Sequence, residues 1–184
     1  MSRVVWHVMM SLDGFIAGPD DAMEWAFEQG GDSAMADEVR ETTGAILAGR
    51  RWYDVATRKY GGRGGIYGGA WTGPVFVLTH HPPEAPEDPE ITFLSEHVPD
   101  AVATARAAAG EERNLVILGA DLARQVLHAG LLDDLAVHVA PVLLGDGVRL
   151  HTVPGGARVD LERVHVEASG PTTSLRFRVG RGRQ

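Results

Sequence analysis

Four runs of apolar and β-branched residues, Val4–Met10, Ala45–Ala48, Val75–Leu78 and Leu115–Leu118, constrain this chain more than any other feature. A strand with one wet face alternates apolar and polar residues. These runs do not, so both of their faces are expected to be buried. Helical segments separate them. Ser33 caps a helix running to about Thr42, Arg50–Ala56 forms a second, Pro99-Asp100 opens a third that stops at Gly110, and a fourth follows Gly119-Ala120 and ends at Gly130. Strands alternating with crossover helices give a mainly parallel central sheet flanked by helices, an α/β fold. Ile91–Leu94 reads as a further strand and Leu135–Leu144 as a long one. Val159–Glu167 and Ser174–Val179, joined through Gly170-Pro171, suit a C-terminal antiparallel hairpin.

A chain of 184 residues with no internal repeat and no linker is expected to be one domain, 1–184, ordered over about 3–180. Seven glycines between Gly61 and Gly73 suit a mobile surface connection. The N-terminus reads as a buried strand, not a signal peptide, because Asp13 follows at once and no small-residue cleavage site is evident. No apolar stretch is long enough to span a bilayer. The absence of cysteine excludes a disulfide scaffold, a thiolate zinc site and a cysteine nucleophile, and suits a cytoplasmic protein. A net charge of −8 opposes nucleic acid and anionic membrane. An anionic ligand therefore needs a local positive site.

Ligands of open parallel sheets bind beyond the carboxyl ends of the strands. There, Gly49-Arg50-Arg51 and Gly119-Ala120-Asp121 each place glycine between strand and helix, so two helix N-termini can offer backbone N–H groups to a diphosphate. Arg50 and Arg51 add guanidinium forks, and Thr79-His80-His81 ends a neighbouring strand where a third phosphate could sit. These residues suggest NADPH in preference to NADH, although both glycines also suit plain tight turns. There is no G-x-G-x-x-G, no Walker loop, no G-x-S-x-G and no H-E-x-x-H. His80-His81 is too little for a metal site, and the other six histidines read as surface or satisfied strand positions. Asp13, at the mouth of the first strand, is the candidate proton donor for a C=N reduction, against the simpler reading of Asp-Gly as a turn. Asp37 and Glu38 are its rivals.

Ser11-Leu12-Asp13-Gly14, Ile46-Leu47-Ala48-Gly49-Arg50-Arg51-Trp52-Tyr53, Leu118-Gly119-Ala120 and Pro141-Val142-Leu143-Leu144-Gly145-Asp146-Gly147 occur in an order that resembles the dihydrofolate reductase-like superfamily. More narrowly, they resemble the reductase domain at the C-terminus of the bifunctional riboflavin-biosynthesis deaminase-reductase. The resemblance implies an NADPH-dependent reductase of a pyrimidine- or pteridine-like heterocycle. In the biosynthetic enzyme that substrate is 5-amino-6-(5-phosphoribosylamino)uracil. Dihydrofolate reduction and non-catalytic nucleotide binding are the alternatives. The resemblance puts Gly49, Arg50, Arg51, Thr79, His80, Gly119, Ala120, Asp121 and Leu122 around the cofactor phosphates, Ala17 near the nicotinamide, and Asp13 at the substrate end. Asp37 and Trp25 would contact substrate, and the chain would pair as a homodimer. Two positions depart from the pattern. Phe15 stands where biosynthetic enzymes usually have a basic residue, and the place of the pteridine-binding carboxylate of dihydrofolate reductase falls on or near Ser33.

Overall fold

The structure is a computed structural model that describes residues 2–29 and 33–180. Its elements in chain order are β1 (Val4–Ser11), β2 (Phe15–Ala17), α1 (Glu24–Glu28), α2 (Ala34–Thr42), β3 (Thr43–Gly49), α3 (Arg50–Lys59), β4 (Val75–Leu78), β5 (Ile91–Leu94), α4 (Val98–Ala109), β6 (Asn114–Leu118), α5 (Ala120–His128), β7 (Asp134–Ala140), β8 (Val148–Arg149), β9 (Leu161–Ser169) and β10 (Thr172–Val179). One sheet has the order β5-β4-β3-β6-β1-β7-β10-β9, and β2 pairs with β8 beside it. The pairings from β5 to β7 are all parallel, and the β10–β9 hairpin closes the edge antiparallel.

The expectation of strands buried on both sides holds. Ile46 and Leu47 are neighbours in β3 that point to opposite faces, and both are fully buried. Burying such a side chain contributes about 1.5–3 kcal/mol. One face packs under α4 and α5 through Ala101, Ala105, Leu122 and Val126. The other packs under α2 and α3 through Met35, Val39 and Tyr53. Met35 and Val39 are four residues apart and so share one stripe of α2. The Ser33 hydroxyl accepts from the Ala36 N–H at 3.2 Å and caps that helix as expected.

Three segments differ from the sequence expectation. The long strand from Leu135 stops at Ala140. Pro141 has no N–H for the ladder, and the Val142 N–H turns back to the Ala140 carbonyl at 2.9 Å, so residues 141–147 leave the sheet as a loop. The pairing of β2 with β8 is too short to carry a sequence signal. The glycine-rich stretch lies at the surface, as expected, but is more than a plain connection because it is anchored in the core at two side chains. Gly62–Gly69 forms tight 3₁₀-like turns, Ile66 enters the core, and buried Trp71 donates its indole N–H to the Thr43 carbonyl at 3.1 Å. Glycine serves close approach here, because a Cβ on Gly65 would lie 1.9 Å from the Tyr60 carbonyl oxygen.

Candidate active site

The carboxyl ends of β4, β3, β6 and β1 open into a cavity of about 1320 Å³. Register explains why two helix ends meet at one end of it. Gly49 pairs with Leu78, and Ala48 pairs with Leu118, so the residues after these strands emerge side by side. Both Gly49 and Gly119 are helix N-caps without a side-chain cap, which leaves first-turn N–H groups of α3 and α5 open to a ligand. Gly119 has φ +96°, and a Cβ there would stand 3.9 Å from the Gly49 nitrogen. The two positive helix ends therefore adjoin across a gap that glycine keeps clear. Ala17, Gly49, Arg50, Arg51, Thr79, His80, Gly119, Ala120, Asp121 and Leu122 all line the cavity, as does Asp37.

The charge balance differs from a bare positive patch. The Arg50 Nε donates to Asp54 at 2.8 Å, and its Nη1 donates to the His81 carbonyl. Arg51 pairs with Asp21 at 2.7 Å, and Arg40 pairs with Asp37 at 2.9 Å. Asp121 lies in the first turn of α5. Arg124 and then Gln125 hold its carboxyl below the usual range, and both bonds draw it along the helix. With these arginines already paired, much of the attraction for an anion falls to the helix N-termini. Thr79 is tied in by its carbonyl, which accepts from Ser95 at 2.8 Å, and by its hydroxyl, which accepts from the His81 N–H at 3.1 Å.

Asp13 and Trp25 are not among the residues that line the cavity. Asp13 instead joins two sequence motifs. Its carboxylate accepts from Ser11 Oγ at 2.6 Å, from Leu144 N at 3.1 Å and from Gly145 N at 2.7 Å. The Ser11 hydroxyl, followed by the Gly145 and Leu144 amides, holds its carboxyl down to about 2. Such a group is ionised near neutral pH and has no proton to deliver. Its position matters in another way: the loops it ties together lead directly into β2 and β8, whose Ala17 and Val148 form a cavity wall. Trp25 is half-buried and donates its indole N–H to the Ala22 carbonyl at 3.1 Å. Its helix neighbour Phe27 meets the cavity instead. Glu38 faces away from the site and pairs with Arg176 at 2.8 Å.

Sequence reasoning missed the polar groups beneath the cavity. His7 of β1 and His138 of β7 line it together with Tyr67 and Ser33. His7 is lowered to about 3 by burial, then by the neighbouring His138 and Arg176 charges. Burial also lowers His138, against the opposing pull of Glu167. Burial pushes the Tyr67 phenol up to about 12, opposed by the neighbouring Thr43 side chain, whose own hydroxyl donates to the Val39 carbonyl at 2.6 Å. A histidine at an inward position of an apolar strand was the available signal. Its partner lay 131 residues away.

The family profile of the RibD C-terminal domain matches residues 2–63 and 70–175. The chain belongs to this family. Among curated proteins, the uncharacterized protein YwjB of Bacillus subtilis (strain 168) is 28% identical over 154 residues, covering 80% of this chain and 82% of that one. Among solved structures, a candidate riboflavin biosynthesis protein from Shewanella sp. PV-4 superposes with TM-score 0.78 at 20% identity, over 98% of this chain and 99% of that one. The deaminase/5-amino-6-(5-phosphoribosylamino)uracil reductase of Thermotoga maritima gives TM-score 0.64 at 19% identity, over 97% of this chain and 57% of that one. The riboflavin biosynthesis reductase Rib7 of Saccharomyces cerevisiae gives 0.58 at 14%, over 97% and 89%. The fold is thus that of the RibD-type, dihydrofolate reductase-like domains. Among the described residues no helix is long and apolar enough to cross a membrane.

Proposed function

We propose that this RibD C-terminal domain protein is an NADPH-dependent reductase of a pyrimidine- or pteridine-like heterocycle. The observation that carries the reading is the pair of uncapped helix N-termini adjoining at Gly49 and Gly119 inside one large cavity. Two such ends form an anion site suited to a diphosphate. The cavity volume of about 1320 Å³ exceeds the roughly 300–1,000 Å³ that holds one drug-sized ligand, which leaves room for a dinucleotide and a small heterocycle together.

When bound, the dinucleotide supplies a hydride. The chain's own residues bind and orient. The α3 and α5 amides hold phosphate, Arg50, Arg51, Thr79 and His80 stand beside them at the ends of β3 and β4, and Ala17 closes the wall that Asp13 braces. Phe27 and Met9 offer apolar contacts to a ring.

Titration of the protein with NADPH and NADH tests the reading. Tighter binding of NADPH is expected, and Arg50→Ala should weaken NADPH more than NADH, by about 1.5–3 kcal/mol if a charge-assisted bond is lost. Equal weak binding of both dinucleotides overturns the assignment.

A further inference from the structure

Beneath the cavity runs a continuous chain of hydrogen bonds. Tyr67 Oη and His7 Nδ1 are 2.9 Å apart, His7 Nε2 and His138 Nε2 are 2.7 Å apart, and His138 Nδ1 and Ser174 Oγ are 2.7 Å apart. Ser174 Oγ lies 3.1 Å from Ser33 Oγ, which donates to Glu167 Oε2 at 3.3 Å. The chain crosses β1, β7 and β10 and ends on the exposed edge strand β9. Tyr67, at its other end, is held with φ +51°, a conformation that tyrosine rarely adopts.

The direction of this chain follows from its last member. Glu167 accepts from the Met35 and Ala34 N–H groups at 3.0 Å each, and those bonds keep its carboxyl below the ordinary range. An ionised carboxylate only accepts, so the single Ser33 proton is committed to it. Ser33 must then accept from Ser174, and Ser174, its proton spent, must accept from His138 Nδ1. Both imidazoles are neutral near pH 7, so each carries one N–H. With its proton on Nδ1, His138 accepts at Nε2 from His7 Nε2–H. His7 Nδ1 is left with a lone pair, and Tyr67 donates its proton to it. The phenol oxygen can therefore offer only lone pairs to anything else.

We propose that Tyr67 is a specificity-determining residue of the cavity: its oxygen, fixed as an acceptor by the chain to Glu167, selects ligands that present a ring N–H or another hydrogen-bond donor. This rests on the reading of the cavity as a heterocycle site and narrows its substrate class. A uracil-like ring carries such donors. A site built around a buried polar partner rejects an analogue that leaves the partner unpaired.

The test has two independent parts. Nitrogen-15 NMR of the ligand-free protein at pH 7 should show His7 protonated at Nε2 and His138 at Nδ1. The opposite tautomers overturn the directed chain, whatever the protein binds. Uracil and 1,3-dimethyluracil, which lacks both ring N–H groups, are then titrated into the protein saturated with NADPH. Wild type should favour uracil by at least about fivefold, and Tyr67→Phe should lose that preference while binding NADPH unchanged. A preference that survives in Tyr67→Phe, or is absent in wild type, overturns the assignment. Failure to bind NADPH at all overturns the reductase reading instead, and leaves the tautomer result standing as a separate measurement.

Discussion

Replacing Gly119 with alanine separates backbone strain from anion access. At φ +96° and ψ 135° an L-residue is strained, yet its Cβ would lie 3.7 Å from Trp52 Cβ and 3.9 Å from the Gly49 nitrogen, ordinary contact distances. The stability loss is therefore conformational, about 1–3 kcal/mol. For a chain of this size that lowers Tm by roughly 2–12 °C. Binding should suffer more specifically. A phosphate oxygen must come within about 2.9 Å of an amide nitrogen, and the new methyl would occupy the approach between the two helix ends. Losing one charge-assisted bond of about 1.5–3 kcal/mol weakens NADPH roughly 10- to 150-fold. The assay is a tryptophan fluorescence titration alongside a thermal melt, with Gly130→Ala as control. Gly130 also has positive φ, at +69°, lies beyond the other end of α5, and has nothing within 4 Å of its added Cβ. It should melt lower and bind as wild type. Wild-type affinity in Gly119→Ala, or equal loss in Gly130→Ala, refutes the helix-end argument.

Two further outcomes follow from residues placed unexpectedly. The Asp13 carboxyl sits at about 2 in the folded protein against an unfolded value near ~3.9, so its stabilising effect is complete above about pH 4 and is lost as pH falls toward 2. Asp13→Asn should be less stable than wild type at pH 6, with the gap in urea midpoint narrowing to roughly half at pH 3 and closing only as pH falls below about 2; a gap that is constant with pH refutes the carboxylate clamp. Ile66→Ala should cost about 2–5 kcal/mol in urea unfolding, because Ile66 is buried in the core, whereas a loss under ~1 kcal/mol would refute its role as the anchor of the glycine-rich stretch.

The parallel architecture was legible because burial on both faces leaves an unmistakable run such as Ala45–Ala48, and a helix start such as Ser33 is a local event. The two helix ends at Gly49 and Gly119 were legible for the same reason, since each strand-glycine-helix junction is contiguous in sequence. What escaped was set by pairing between distant segments. Asp13 looks like any turn acid until the loop at Leu144 and Gly145 is folded against it. His7 looks like a satisfied strand residue until β7 lies alongside. The glycines at 61–73 signal turns equally whether the turn lies on the surface or holds Ile66 in the core, and only the neighbour at Tyr60 decides.

The position of β1 at the centre of the sheet has a consequence for biosynthesis. Val4 pairs with Leu115 and Val5 with Asp134, so β1 has no sheet partner until more than a hundred further residues emerge. At ribosomal speeds of about 5–20 residues per second, that interval is on the order of ten seconds. During it the segment Val4–Met10 waits unpaired beside the growing chain, sticky to other nascent copies. The cavity floor carrying His7 is thus translated long before the strands that complete it.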